Sequence, residues 1–265
     1  MNRFVEELVK YGSLKSTKII DAHTHMGDVY GTNLSVYDIE GCLKIMDEQN
    51  VEMIFCSPHG DLFDPLSVNT EIEEILRSHA DRVKGYYGFN PCYAADYGRK
   101  IDKVPGDERF IGFKLLPEYH MTPLSDANYE RLFAVADESA LLVLIHTWGG
   151  SAYNAPAQIE GVLKKYKRLK LLMGHSAPGE AEAAIHLAKD YENAYLDLCD
   201  IHRNSGVIER MVSAVGSEKV FYGTDMPWYD PAYAIGSVVF SHIAEQDMEN
   251  ILYRNAKNMI NQVRR

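Results

Sequence analysis

The stretch Ile19-Ile20-Asp21-Ala22-His23-Thr24-His25 carries an apolar strand into two histidines spaced one residue apart. Side chains alternate faces along an extended strand, so His23 and His25 point the same way and can grip one cation together. Imidazole is the commonest metal ligand, and zinc, iron, manganese or nickel accepts two of them. Taken alone, the pair reads more readily as two ordinary strand residues. Its weight comes from the surrounding pattern. Apolar runs at 18–22, 52–57, 83–89, 110–115, 141–146, 170–174, 194–198 and 220–223 alternate with segments of helical period, among them 36–49, 69–79, 126–138, 157–166, 179–189 and 206–215. That alternation is the signature of a parallel sheet wrapped by helices. Eight such units in 265 residues predict a closed (β/α)8 TIM barrel, a single domain over 1–265.

No glycine-rich GxGxxG follows the first strand, which argues against an open dinucleotide-binding sheet. Ser35, with Asp38 three residues on, and Ser125 read as helix caps. A helix over 2–11 precedes the first strand and is expected to cover the bottom of the barrel. The amphipathic segment 248–263 is expected to close the outer ring.

Composition narrows the function. A formal net charge of -11, with no Lys/Arg run, argues against nucleic acid as a partner. The opening MNRFVEELVKYGSLKSTK lacks a continuous apolar segment, so neither a signal peptide nor a membrane anchor is expected. No later stretch reaches the roughly 18 uncharged apolar residues of a membrane span. A soluble, cytoplasmic protein is the expectation. Cys42, Cys56, Cys92 and Cys199 form no CxxC pair and predict reduced, buried thiols. Cys199 reads better as a small strand-end hydrophobe than as a catalytic thiol.

In a barrel of this type, chemistry sits where strands end and βα loops begin. There the sequence places His23 and His25 after the first run, Lys114 in the fourth, His146 after the fifth, His175 after the sixth and Asp225 after the eighth. Ionisable groups buried at one rim without partners would carry a desolvation penalty, which a cation offsets. The alternative is a hydrogen-bonded polar network without metal.

With these residues in this order, the chain resembles members of the amidohydrolase superfamily, in particular the amidohydrolase-related branch of metal-dependent hydrolases and decarboxylases. The likeness rests on DAHTH (21–25), GFKLLP (112–117), LIHT (144–147), GHS (174–176), GTDMP (223–227) and the closing ILYRNAKNMI (251–260), and it spans nearly the whole chain. It implies a divalent ion, usually Zn2+ with Mn2+ or Fe2+ as alternatives, held by His23, His25, His146 and Asp225, with His175 beside it as base or substrate contact. In the binuclear arrangement Lys114 is carboxylated and bridges two ions, and His146 and His175 hold the second. Lys114 reads equally as a plain cation for a substrate carboxylate. Leu116 stands where the branch often has histidine, and the chain is shorter than many of the decarboxylases.

A cation at this rim would lower the pKa of its water from about 16 to about 7. Asp225 would then carry the water proton to the leaving group, while His175 and Lys114 stabilise developing negative charge. Hydrolysis of an amide, ester or lactone is the favoured reading, and decarboxylation of a small unsaturated or aromatic acid is the alternative. A non-catalytic metal-binding barrel is the third reading, disfavoured because structural zinc sites are closed and often use cysteine. Tyr119, His120, Trp148, Tyr153, His202, Arg203, Trp228 and Tyr229 fall in rim loops and suit a small, planar or carboxylated substrate, with Arg203 as the carboxylate clamp. His59 and Asn90 follow the second and third runs and are weaker pocket candidates, while His79, His186 and His242 read as surface or packing residues. A homo-oligomer fits a barrel of this class, although no interface is legible.

Overall fold

The computed structural model describes residues 2–29, 31–63 and 69–263. Eight parallel strands pair in sequence order, β1 Ile19–Thr24, β2 Val51–Cys56, β3 Val83–Phe89, β4 Phe110–Leu115, β5 Leu142–His146, β6 Lys170–Gly174, β7 Ala194–Asp197 and β8 Val220–Phe221. The sheet closes on itself where the Ala22 N–H donates to the Tyr222 carbonyl at 2.9 Å and Thr24 bridges Met226. The chain is therefore the expected (β/α)8 barrel.

The helices are α1 Arg3–Tyr11, α2 Ile39–Gln49, α3 His59–Phe63, α4 Thr70–His79, α5 Ala94–Tyr97, α6 Glu130–Glu138, α7 Pro156–Lys165, α8 Ala181–Asp190, α9 Val207–Val215, α10 Pro231–Val239, α11 Glu245–Glu249 and α12 Asn255–Gln262. Their ends follow local chemistry. The Asn2 side chain accepts from the Val5 N–H to start α1, and Gly12, at φ +70°, ends it in the left-handed region. Asp38, rather than Ser35, caps α2 by accepting from Gly41 N–H. Asp126, rather than Ser125, caps the 3-10 turn Ala127–Tyr129 that leads into α6. In both places the carboxylate nearer the first turn takes the free amide.

The two terminal segments swap their expected places. Residues 248–263 are not one helix: a π-helical turn at Asn250–Arg254 separates α11 from α12. Ala256, Met259 and Ile260 of α12 pack into the cluster that fills the barrel, with Ile20, Phe55, Tyr86, Leu142 and Phe221. The C-terminal helix thus plugs the bottom. Helix α1 instead lies against α10 and α11, where the Arg3 N–H donates to Glu245 Oε1 at 2.9 Å and Phe4 is buried. Outside the barrel, a larger apolar layer fills the space between sheet and helices. Among the described residues no helix is long and apolar enough to cross a membrane.

Met259 is 2% exposed within this plug. Met259→Ala is expected to lower stability by about 2–5 kcal/mol in urea unfolding, whereas Val9→Ala, on the exposed face of α1, should change it by less than about 0.5 kcal/mol.

Candidate metal centre

The strand ends at one mouth of the barrel bring the expected side chains together. His23 Nε2 lies 3.4 Å and His25 Nε2 3.1 Å from the same oxygen of Asp225, Oδ1. Both β1 histidines therefore face one point, as the HxH spacing requires. A register irregularity in the β1–β2 pairing between Asp21 and Thr24 accompanies the change from apolar interior residues to this polar floor. The His25 ring is fixed by Nδ1–H donation to the Ser57 carbonyl at 2.7 Å and stacks on His59, centroids 5.0 Å apart.

His23 is held from both sides. Its Nδ1 donates to Asp197 Oδ2 at 2.7 Å, which leaves Nε2 to accept from Lys114 Nζ at 2.7 Å. A ring so oriented presents to a cation the same nitrogen that now meets the ammonium. Burial pushes the Lys114 amine down to about 8 and the His175 imidazole down to about 4. Burial alone would raise the Asp225 carboxyl, but the His25 hydrogen bond and the His23, His25 and His175 rings hold it well below the usual carboxylate range.

Asp197 is a buried carboxylate beside the site that the apolar pattern of 194–198 does not single out. Besides His23, it accepts the His175 backbone N–H at 3.0 Å and the Cys199 N–H at 3.2 Å. A charged residue inside an otherwise apolar run was the available signal. Gly223 makes room for it, because a Cβ there would overlap the Asp197 carboxylate and crowd His23. Asp21 is similarly buried and accepts from His23 N–H and Thr224 N–H, tying β1 to the loop after β8. His175 at φ +65° and Asp225 at φ +64° both adopt left-handed backbone, a costly conformation for such residues that is retained where surrounding bonds over-determine it. Asp197 supplies that bond for His175, and the His23 carbonyl supplies it for Asp225 at 2.8 Å.

His146 Nδ1 and His175 Nε2 face each other at 3.0 Å, and His146 stacks on Trp148. Above the histidines opens a cavity of about 440 Å³, walled by Phe63, Tyr119, Trp148, Trp228 and Tyr229 and floored by His25, His59, His146, His175 and Asp225. Asp200, unremarked in the sequence, also lines it and accepts from Tyr229 Oη at 3.0 Å. His59 belongs to the cavity, with Trp228 Nε1 donating to its Nε2 at 2.9 Å. Other candidates do not reach the cavity: His120 is buried against the Leu62 carbonyl, Asn90 caps the turn at Pro91–Tyr93, His202 bonds the Leu198 carbonyl, and Tyr153 is not in the lining. Lys114 is fully buried and does not line the cavity either. The Arg203 side chain lies outside the described residues. Of the thiols expected to be buried, Cys92 is exposed, because it sits in the turn Pro91–Tyr93 and not in a strand. Cys199 is buried as expected, yet it joins His23, His175 and Asp225 in a group whose donor atoms all lie within 4.8 Å of one another.

Residues 20–261 match the family model described as Amidohydrolase. No curated protein matches the sequence significantly. Similar solved structures include 2,6-dihydroxybenzoate decarboxylase from Rhizobium, with TM-score 0.75 at 13% identity over 92% of this chain and 99% of that one. Also similar is 5-carboxyvanillate decarboxylase from Sphingomonas paucimobilis, with TM-score 0.72 at 15% identity over 92% and 99%. A dihydroxybenzoic acid decarboxylase from Polaromonas, with bound manganese and 2-nitroresorcinol, has TM-score 0.73 at 14% identity over 92% and 97%. At these identities the likeness establishes a common fold.

Because Asp197 fixes His23 and His175 together, Asp197→Asn should weaken binding of Zn2+ or Mn2+ by roughly 10–100-fold in chelator competition. The far-UV circular dichroism should stay that of the barrel.

Proposed function

This chain belongs to the amidohydrolase family, and from that premise we propose that it is a metal-dependent enzyme acting at a carboxyl-derived carbon of a small, planar substrate. The observation that carries the reading is the convergence of His23, His25 and Asp225 on one point, beside the His146–His175 pair, beneath an aromatic-walled cavity. Neutral imidazoles and one ionised carboxylate are a donor set suited to a divalent cation such as Zn2+, Mn2+ or Fe2+. Bound there, it would polarise a substrate oxygen and acidify water at neutral pH.

The remaining work falls to the protein. Tyr119, Trp148 and Trp228 offer flat apolar faces that suit a ring and exclude water around it. Asp225, held ionised, accepts a proton from the attacking water and returns it to the leaving group. His175 lines the cavity with its Nε2 against His146, and turned from that contact it would donate a hydrogen bond to the substrate oxygen as negative charge develops there. Lys114 sits one atom pair away, on His23, and contributes positive potential from beneath the floor.

Hydrolysis of an amide, ester or lactone is the primary reading, because Asp225 stands at the point on which His23 and His25 converge, where a carboxylate can take the proton of an attacking water. Decarboxylation of an aromatic acid is the second reading, supported by the ring-sized aromatic cavity and by the decarboxylases that share the fold. A panel of ring-containing esters, lactones, amides and carboxylates, run in 18O-labelled water, separates them. Hydrolysis incorporates 18O into the product acid, whereas decarboxylation releases carbon dioxide and leaves the remaining oxygens unlabelled. With the substrate so found, Asp225→Asn is expected to cut kcat by about 10²–10⁴-fold while the protein stays folded. Undiminished turnover would remove Asp225 from the chemistry.

A further inference from the structure

Two side chains of the cavity are joined in a way that neither the sequence pattern nor the family resemblance assigns. His59 opens α3 after β2, and Trp228 follows Asp225 in the loop after β8. The Trp228 Nε1–H donates to His59 Nε2 at 2.9 Å. His59 can accept it because its Nδ1–H is spent on the Gly27 carbonyl at 2.9 Å, which fixes the tautomer with Nε2 bare. The imidazole has little room to turn. It is 4% exposed, its backbone N–H donates to the Met26 carbonyl at 2.7 Å, and its ring stacks on His25. Trp228 is tied at its other end as well, where its backbone N–H donates to the Asp225 carbonyl at 2.8 Å. An indole that is 40% exposed could give its N–H to water, so the bond to His59 is not needed to satisfy the donor; what it fixes is where the ring stands. The contact is edge-on, with the ring planes at 89°, so neither face of the indole is spent on His59.

We propose that His59 is a positioning residue for the substrate ring: through Trp228 it fixes the wall against which that ring lies, in register with the point where His25 and Asp225 converge. This deepens the reading of the cavity as a ring-binding site and rests on it. The wall is referenced to that point from two sides, by the stack of His59 on His25 and by the backbone bond from Trp228 to Asp225. Without His59 the indole keeps its backbone tether but turns about its side-chain bonds, and its N–H is left to water. Such a change weakens ring binding in the ground state and the transition state alike, which is read in KM and not in kcat.

The sequence has two tryptophans, so the full chain gives two indole N–H signals in a 1H–15N spectrum, and Trp148→Phe identifies the one from Trp228. In the wild-type protein that signal should exchange with solvent at least about tenfold more slowly than the indole of free tryptophan. His59→Leu should remove the protection, and His59→Gln, whose Oε1 falls where Nε2 stood, should restore it. With a ring substrate from the 18O panel, His59→Leu should raise KM about fivefold or more with kcat within about threefold, and His59→Gln should reverse the rise. The double variant His59→Leu, Trp228→Leu should be no worse than Trp228→Leu alone, because the two side chains act as one unit. A Trp228 indole that exchanges freely in the wild-type protein, a loss confined to kcat, or losses that add in the double variant overturns the proposal and leaves the enzyme reading standing. A protein that turns over no ring compound overturns both.

Discussion

The site depends on the closure of the barrel. The first and last strands lie some two hundred residues apart in the chain, and their hydrogen bonds bring His23 and Asp225 into one constellation. Ala22 N–H reaches the Tyr222 carbonyl, His25 N–H the Met226 carbonyl, and Asp225 N–H the His23 carbonyl. The last of these holds Asp225 in the left-handed backbone that turns its carboxylate back over the β1 histidines. Without that seam, His23 and His25 would end an edge strand facing no carboxylate. Packing at the opposite end supports it, because α12 fills the bottom of the same barrel and excludes water from the apolar interior on which the polar floor rests.

A second constraint is electrostatic. Asp197 is buried, yet three N–H groups converge on it, so its position is fixed by His23, His175 and Cys199 and fixes them in return. Such an outer carboxylate sets the tautomer of a ligating histidine and aims its free nitrogen. Here that nitrogen meets Lys114, which gives the lysine a place in the site although it never reaches the cavity.

Much of this was legible in the sequence. The runs 83–89, 110–115 and 170–174 coincide with β3, β4 and β6, and the other strands differ by a few residues at their ends. His23, His25, His146, His175 and Asp225 were readable because an ionisable residue ending an apolar strand has few other reasons to be there. The terminal segments were misread for a physical reason: amphipathic periodicity reveals that one face of 248–263 is buried, but not whether it meets the outer ring or the barrel floor. Asp197 was hidden by the apolar residues flanking it. Cys199 read as a small strand-end side chain and is buried as such, while its nearness to His23, His175 and Asp225 is visible only once the barrel is closed.

The central claim is that these strand ends form a metal centre, and the most direct measurement is the metal content of protein purified without chelator, by mass spectrometry. The account predicts about one equivalent of a divalent cation per chain, lost when His23 and His25 are both replaced by alanine. A folded protein that holds no cation, even after incubation with Zn2+ or Mn2+, would contradict it.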